Sequence, residues 1–216
     1  MGDLRTDRCG RVVIRESTEQ DVPSLVSIQR AALPHAILSR LGERFLSDVV
    51  FPAMLTCDGF TFVHVDAGTV DAFVVFSRDS DALTAKFTNK KASLLAYSAL
   101  AVLRTPAFAG DILAYVRRHR LELTTCLDAD IDDLPELYVI AARPERQSAG
   151  IGSSLVRHGL DRLAEAGQSR CLVKAASPRA SAFYGRLGFD PIGVETRGRT
   201  RLQVLLSSPR EADASL

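Results

Sequence analysis

The chain has 216 residues, of which 46% are hydrophobic and 25% are charged, and this composition is typical of one generously sized globular domain. Its 27 Lys and Arg residues almost balance 26 Asp and Glu residues, so the net charge of +1 does not favour nucleic acid as a partner. The chain has no signal-peptide pattern and no apolar run near the ~18 residues of a transmembrane helix, so we expect a cytoplasmic protein.

Four cysteines are scattered along the chain, at Cys9, Cys57, Cys126 and Cys171. They form no Cys-x-x-Cys pair and have no histidine at ligand spacing, so the sequence predicts neither a structural zinc site nor a disulfide framework. Isolated thiols are usually small core residues, which suits a reducing compartment. We therefore expect no bound metal.

The first part of the chain predicts strands and helices that lead into a hairpin. The hairpin prediction rests on two β-rich arms around the turn Asp66-Ala67-Gly68. The predicted elements are, in chain order, a flexible N-terminus (1–10), a strand (Val12–Arg15), a helix from Val22, a helix from Gly42 to about Leu55, and the hairpin arms Phe60–Val65 and Val70–Phe76.

Residues 78–130 interrupt this alternation. The stretch 92–103 is rich in helix formers and stops before Pro106, and a second helical pattern runs from about Ala107 to His119. We expect a two-helix insertion between the third and fourth strands. Two hypotheses for it stay open: it buries an Ala/Leu face by packing or in a homodimer, or its basic ends shape a ligand pocket or contact an anionic surface.

The second part predicts a strand-helix-strand-helix block followed by two closing strands. Its first strand is a short continuous apolar run, as expected for a strand buried on both faces. Residues 11–206 are thus expected to form a single domain. The predicted elements are strand Leu137–Ala142, helix Gly150–Ala166, strand Cys171–Ala175, a helix from Ser177 to Leu187, strands near Pro191–Thr196 and Leu202–Leu206, and a flexible C-terminus (207–216).

A glycine-containing loop lies between the buried strand and its helix, with the sequence Gln147-Ser148-Ala149-Gly150-Ile151-Gly152. Unpaired backbone N–H groups and the positive end of the helix dipole attract phosphate at such a place. Glycines at 150 and 152 remove the Cβ atoms that would hold a pyrophosphate away from these amides. Ser153 and Ser154 add hydroxyl donors.

Three interpretations of this hexapeptide compete: a dinucleotide-binding loop, a P-loop and a tight strand-to-helix turn. A dinucleotide-binding loop requires a third glycine at position 155, where the chain has Leu155, and a P-loop requires a Gly-Lys-Ser/Thr sequence that is absent. A tight strand-to-helix turn without a ligand stays open on the hexapeptide alone.

The wider sequence resembles the GNAT family of N-acetyltransferases. The stretch 143–155 matches in register the family's CoA loop, Gln/Arg-x-x-Gly-x-Gly/Ala after a buried strand. Farther on, the stretch 177–189 resembles the second motif, Asn-x-x-Ala-x-x-Phe-Tyr-x-x-x-Gly-Phe, with Ser177 in place of Asn. The close match covers about Glu136 to Gly193. Ala72 stands where the third strand often has Gly.

The resemblance implies an α/β fold with a mixed, mostly antiparallel sheet of about seven strands flanked by helices. It implies acetyl-CoA as co-substrate, no metal, and a small-molecule acceptor, namely an amino sugar, amino acid or other metabolite. The primary amine would attack the thioester directly in a ternary complex. Alternatives are a non-catalytic acyl-CoA sensor, transfer to a protein amine, and transfer of a longer acyl group.

The resemblance also assigns site residues. The strand before the loop would offer backbone N–H groups of Ile140 and Ala142 to the acetyl carbonyl and pantetheine. Tyr184 matches the family tyrosine that faces the sulfur; proton donation from a phenol to a thiolate is uphill by roughly 2 kcal/mol, so a hydrogen bond to the thiolate is the better hypothesis. The implied CoA-binding residues are Ile140, Ala141, Ala142, Gln147, Ser148, Ala149, Gly150, Ile151, Gly152, Ser153, Ser177, Phe183 and Tyr184.

Glu136 lies eleven residues before Gln147, where several family members keep a glutamate that acts as general base. A carboxylate is a poor direct base for an alkyl ammonium, so a water relay or binding of the cation is the more plausible role. A plain strand-edge carboxylate is the alternative. The acidic run 128–133 either attracts a cationic amine or is a solvated loop. The histidines His35, His64 and His158 are expected to be structural.

Overall fold

A computed structural model of the chain describes residues 12–88, 120–123, 131–197 and 200–209. Eight strands form one sheet in the order β1-β2-β3-β5-β6-β8-β7-β4, and every neighbouring pair is antiparallel except β5 with β6. The strands are β1 (Val13–Glu16), β2 (Gly59–Asp66), β3 (Thr69–Ser77), β4 (Arg120–Leu123), β5 (Glu136–Ala142), β6 (Leu172–Ala175), β7 (Phe189–Arg197) and β8 (Thr200–Ser207).

Helices cover the sheet on both faces. A π-helical turn, Leu46–Val50, joins two short helices, Glu43–Phe45 and Phe51–Leu55. None of the helices in the described ranges is long and apolar enough to cross a membrane. The helices are α1 (Val22–Ala32), α2 (Ile37–Arg40), α3 (Glu43–Phe45), α4 (Phe51–Leu55), α5 (Ser80–Thr88), α6 (Ile151–Glu165) and α7 (Pro178–Gly185).

The two faces of the sheet carry two separate apolar clusters, because successive side chains of a strand point to opposite sides. On β3, Phe73 and Val75 pack with α1 to α5, whereas Val74 and Phe76 pack with α6 and α7. Helix α6 lies so close to β3 that a Cβ atom on Gly159 would be 1.9 Å from the Phe76 ring. This contact fixes α6, and with it the loop at its start, against the sheet.

The prediction of a mixed, mostly antiparallel sheet flanked by helices is confirmed, although the sheet has one more strand than the expected seven. The additional strand β4 pairs with β7 at the sheet edge, so the strand predicted as the fourth is the fifth along the chain. Helix α5 was not predicted either. The two helices predicted within residues 92–119 lie outside the described residues.

Candidate active site

The parallel strands β5 and β6 separate soon after they meet. Only Glu136 with Leu172 and Leu137 with Val173 are paired between them. Beyond these pairs, β5 stays with β3 on one side and β6 stays with β8 on the other. A groove therefore opens between residues 138–142 and the end of β6.

Backbone N–H groups of β5 face this groove. The N–H of Arg143 donates to the carbonyl oxygen of Asp71 on β3 at 2.8 Å. Because N–H directions alternate along an antiparallel strand, the N–H groups of Ile140 and Ala142 point away from β3. The carbonyl oxygen of Ala142 accepts a hydrogen bond from Nε2 of Gln147 at 3.3 Å. The groove wall thus offers two backbone donors, at the positions that the sequence predicted.

The loop that follows β5 leaves the first amides of α6 unpaired. Its N-cap residue Gly150 has a φ of +80°, and Ser148 has a φ of +67°, which is uncommon for a residue other than glycine. The N–H of Ser154 makes the first helical bond, to the oxygen of Gly150 at 3.1 Å. The N–H groups of residues 151–153 therefore have no acceptor within the helix, and they lie at its positive end.

Strand β5, helix α6 and helix α7 meet beside this loop. A Cβ atom on Gly152 would lie 3.4 Å from Cζ of Phe183 and 3.7 Å from Cδ1 of Ile140. Ser177 caps α7, because its Oγ accepts a hydrogen bond from the N–H of Ala180 at 3.2 Å. The structure therefore brings residues of both sequence motifs together at one end of the groove.

Tyr184 on α7 is buried in the same cluster. Its ring centroid lies 5.1 Å from that of Phe183 and 5.6 Å from that of Phe189. Burial raises the pKa of Tyr184 above its ordinary value, and the neighbouring Cys171 adds to the increase. The phenol is therefore protonated at neutral pH and can act as a hydrogen-bond donor.

Charged side chains of the β2–β3 hairpin hold the loop from behind. Arg146 donates a hydrogen bond from an Nη atom to Oδ2 of Asp66. Its Nε lies 3.1 Å from Oδ2 of Asp71, an ion-pair distance without hydrogen-bond geometry. The other carboxylate oxygen of Asp71 lies 2.6 Å from Nδ1 of the buried His64. The contacts of Arg146 with Asp66 and Asp71 fix the position of the loop backbone.

A buried ion-pair cluster lies where β5 and β6 are still paired. Nζ of Lys174 is 2.8 Å from Oε2 of Glu136 and 3.2 Å from Oε2 of Glu195. The two carboxylate side chains are 10% and 2% exposed. Glu136 is therefore neither an isolated base nor a plain solvent-facing carboxylate, because a lysine already binds one of its oxygens.

A cleft of about 190 Å³ opens beside this cluster, between β5 and the first two helices. Its polar lining includes Gln29, Glu136, Tyr138 and Lys174. A larger hollow of about 540 Å³ lies on the outer side of α1, beside Arg30 and Glu43, and none of the predicted site residues line it. The smaller cleft adjoins the groove, because both are bordered by β5.

Sequence reasoning did not identify Gln29, Asp71, Arg146, Lys174 or Glu195. The predicted structural roles of two histidines agree with their contacts: His64 pairs with Asp71, and the ring of His158 packs 4.6 Å from that of Phe62. His35 is exposed in the turn before α2. Residues 128–130 of the acidic run 128–133 lie outside the described ranges, and Ile131–Asp133 form a short 3₁₀ helix before β5. Within those ranges, no group of three or more His, Cys, Asp or Glu side chains could hold a metal ion.

Comparison with known proteins agrees with this geometry. The chain is similar over short stretches to two curated mycothiol acetyltransferases: 38% identity over 66 residues with that of Clavibacter sepedonicus, and 41% over 69 residues with that of Streptomyces bingchenggensis (strain BCW-1). These stretches are 30% and 31% of this chain, and the chain spans only 22% of the length of either relative.

A solved structure shares the fold over almost the whole chain. It is a histone acetyltransferase HPA2 and related acetyltransferase from Corynebacterium glutamicum, at a TM-score of 0.60 and 17% identity, covering 94% of this chain and 99% of that one. The model of the acetyltransferase (GNAT) family matches residues 57–189, which is more than half of the chain. With the groove, the loop and this match in agreement, the chain belongs to the GNAT acetyltransferase family.

Proposed function

We propose that the chain transfers the acetyl group of acetyl-CoA to the primary amine of a small molecule, by direct attack within a ternary complex. The observation that carries the proposal is the groove between β5 and β6. One end of it holds backbone donors, a helix N-terminus and a buried phenol, and the other end adjoins a cleft beside a carboxylate. The curated relatives are named as acetyltransferases, which supports acetyl transfer.

The loop and α6 would bind the diphosphate of CoA. The unpaired N–H groups of residues 151–153 supply hydrogen bonds, and the helix dipole supplies roughly half a positive charge. Gly150 and Gly152 let the ligand approach the backbone. The Oγ of Ser177 accepts one hydrogen bond in the α7 cap, so its hydroxyl hydrogen and its second lone pair are available to pantetheine. The proposed contacts are Gln147, Ser148, Ala149, Gly150, Ile151, Gly152, Ser153, Ser177 and Phe183, with Ile140, Ala141 and Ala142 on β5.

The reacting atoms would lie in the groove. As the amine nitrogen bonds to the carbonyl carbon, the oxygen gains negative charge, and the N–H groups of Ile140 and Ala142 are placed to stabilise it. The nitrogen then loses its remaining extra proton to water, the carbon–sulfur bond breaks, and the hydroxyl of Tyr184 donates a hydrogen bond to the leaving thiolate. The raised pKa of Tyr184 disfavours complete proton transfer, so the phenol acts as a donor that keeps its proton.

Glu136 would bind the incoming ammonium. Its Oε2 is held by Lys174, and among the described residues no side chain is seen to bond its Oε1. This carboxylate oxygen can accept a hydrogen bond from the cation and, through a water molecule, its proton before attack. Lys174 fixes the orientation of the carboxylate in this scheme and does not itself contact the reacting atoms.

Release of free thiol from acetyl-CoA in the presence of pooled primary amines tests the proposal. We expect Tyr184→Phe to lower kcat by about 10- to 100-fold, the effect of one hydrogen bond to a charged group, with the affinity for CoA unchanged. If calorimetry detects no binding of acetyl-CoA to the wild-type protein, the proposal is wrong. Binding without acetylation of any amine would instead support the acyl-CoA sensor.

A further inference from the structure

The cleft beside Glu136 is lined by a buried side-chain amide whose oxygen has no hydrogen-bond partner among the described residues. Gln29 on α1 is 4% exposed, and its Oε1 has no hydrogen-bond partner within the described ranges. A buried polar atom without a partner costs about 1–3 kcal/mol. Oε1 of Gln29 is one of seven such side-chain atoms in the described ranges, and among them it is the one whose residue lines this cleft. A molecule that enters the cleft would therefore lie beside two side chains, Gln29 and Glu136, that carry hydrogen-bond acceptors.

The only cation that lines the cleft within the described ranges is already engaged. Lys174 forms ion pairs with Glu136 and Glu195 at 2.8 and 3.2 Å. Its positive charge is therefore balanced by protein carboxylates and is not offered to an anionic group of a ligand. A ligand carboxylate in this cleft would lie near Glu136 without a counter-charge, which is unfavourable in a poorly solvated place.

The remaining walls are apolar apart from Tyr138, whose hydroxyl oxygen lies 3.4 Å from Oγ1 of Thr84. The cleft volume of about 190 Å³ is smaller than that of pockets for drug-sized ligands, roughly 300–1,000 Å³, so it accepts a small molecule or one end of a larger one. Hydroxyl groups placed against these walls would lose their hydrogen bonds to water without replacement. The apolar lining residues include Leu33, Ile37, Leu38, Met54, Val139 and Leu202.

We infer that the acceptor is a small apolar primary amine without a carboxylate, whose ammonium donates hydrogen bonds to Oε1 of Gln29 and to Glu136. This inference rests on the proposed acetyl transfer and narrows its acceptor class. It disfavours amino acids because of their carboxylate, and amino sugars because of their hydroxyl groups. Gln29 is assigned as a specificity-determining residue.

Matched amine pairs test the acceptor class. With acetyl-CoA saturating, thiol release is measured for 2-phenylethylamine against L-phenylalanine, and for 3-methylbutylamine against L-leucine; the members of each pair differ by one carboxylate. We expect kcat/KM to be at least about tenfold higher for each amine than for its amino acid, since like charges in an interface cost several kcal/mol. Equal values, or a preference for D-glucosamine, would overturn the inference while leaving acetyl transfer in place.

Gln29→Met tests the amide separately. It keeps the side-chain length and removes the unpartnered oxygen, so the Tm should be unchanged or higher. The kcat/KM for 2-phenylethylamine should fall about tenfold, the value of one hydrogen bond to a charged group, with the affinity for CoA unchanged. A lower Tm with unaltered kcat/KM would show that Gln29 has only a structural role.

Calorimetry of 2-phenylethylamine on the CoA-loaded protein separates failure of the inference from failure of the proposed function. If the amine binds, and binds more weakly to Gln29→Met, but no amine is acetylated, the cleft assignment stands and the transferase proposal fails. If neither 2-phenylethylamine nor 3-methylbutylamine binds or reacts, the inference is wrong, whatever other class of amine the protein acetylates.

Discussion

The two ends of the groove satisfy their polar groups in different ways. One end, here called the CoA end, is formed by residues 147–153, where we propose that CoA binds. There the charged side chains behind the loop pair with one another, and the groups without a hydrogen-bond partner in the helix are backbone N–H donors at the start of α6. At the cleft end, two carboxylates share one lysine, and the groups left open are side-chain acceptors, the oxygens of Gln29 and Glu136.

The backbone conformation therefore determines the donors at one end, and the identity of single side chains determines the acceptors at the other. A donor site made of backbone amides depends on loop conformation and tolerates most side-chain changes around it. An acceptor site made of side-chain oxygens changes with single substitutions. We therefore expect substitutions that change the backbone conformation of the loop to weaken CoA binding. Substitutions that remove a polar or charged side chain in the cleft should instead change the stability and the preferred amine.

The largest expected effect is on the charge cluster at the cleft end. Lys174→Met leaves Glu136 and Glu195 buried without their shared cation, which should lower the free energy of unfolding by about 3–5 kcal/mol. Urea denaturation at pH 7 measures it. Arg162→Met is the control, because it breaks an exposed pair with Glu165 and should cost at most about 1 kcal/mol. Similar losses in both variants would contradict a buried, interdependent cluster.

The next effect is on the conformation of the CoA loop. Gly150→Val places a β-branched residue at a φ of +80° beside the unpaired amides, and we expect the affinity for CoA to fall by about 100-fold or more. Gly167→Val is a close control: Gly167 has a φ of +81° at the other end of the same helix, and a Cβ atom at either glycine meets nothing within 4 Å.

Both glycine variants should therefore lose similar stability from backbone strain, roughly 1–3 kcal/mol. Calorimetry with CoA then isolates the effect of the site. Equal affinities for CoA in the two variants would show that the loop does not bind it.

Local sequence signals predicted this end of the groove well. The longest helix agrees within a residue at each end: α6 runs from Ile151 to Glu165 against a prediction of Gly150 to Ala166. The cap at Ser177 was also predicted, because serine is a preferred N-cap residue and proline is favoured at the first position of a helix. The roles of Tyr184 and of the loop residues in CoA binding stay predictions.

Contacts between distant residues were not predictable from one sequence. Lys174 is 38 residues from Glu136 along the chain, and nothing local to either indicates that parallel pairing of β5 and β6 brings them together. Strand β4 has only four residues, and its partner β7 begins far downstream. The orphaned oxygen of Gln29 follows from how α1 packs on the sheet, which periodicity does not specify.

A moderate effect is expected from the support behind the loop. Asp71→Asn removes the charge that faces Arg146 and His64, and a small displacement of the loop should weaken CoA binding by about tenfold. Glu145→Gln, at an exposed position in the same loop, should leave the affinity unchanged. If the two variants bind CoA equally well, the backbone alone fixes the loop.

The smallest effect is a pH dependence of stability from a buried thiol beside β5. Burial raises the pKa of the Cys171 thiol, so the folded protein keeps a proton that the unfolded chain releases near pH 9. Stability from this group is complete below that pH and declines as the pH rises above it. Between pH 8 and 10, the free energy of unfolding of the wild type should fall by about 1–2 kcal/mol more than that of Cys171→Ala.

Urea denaturation at the two pH values measures this difference. Cys57→Ala is the comparison, because Cys57 is only partly buried and burial raises the pKa of its thiol as well. Replacing the partly buried Cys57 should change the pH dependence of the free energy of unfolding less than replacing the buried Cys171. Tyr184 next to Cys171 adds a further decline only above pH 10, since its unfolded pKa is about 10. Parallel slopes for the wild type and Cys171→Ala would mean that the thiol ionises in the folded protein, and that its surroundings are more solvated than their packing indicates.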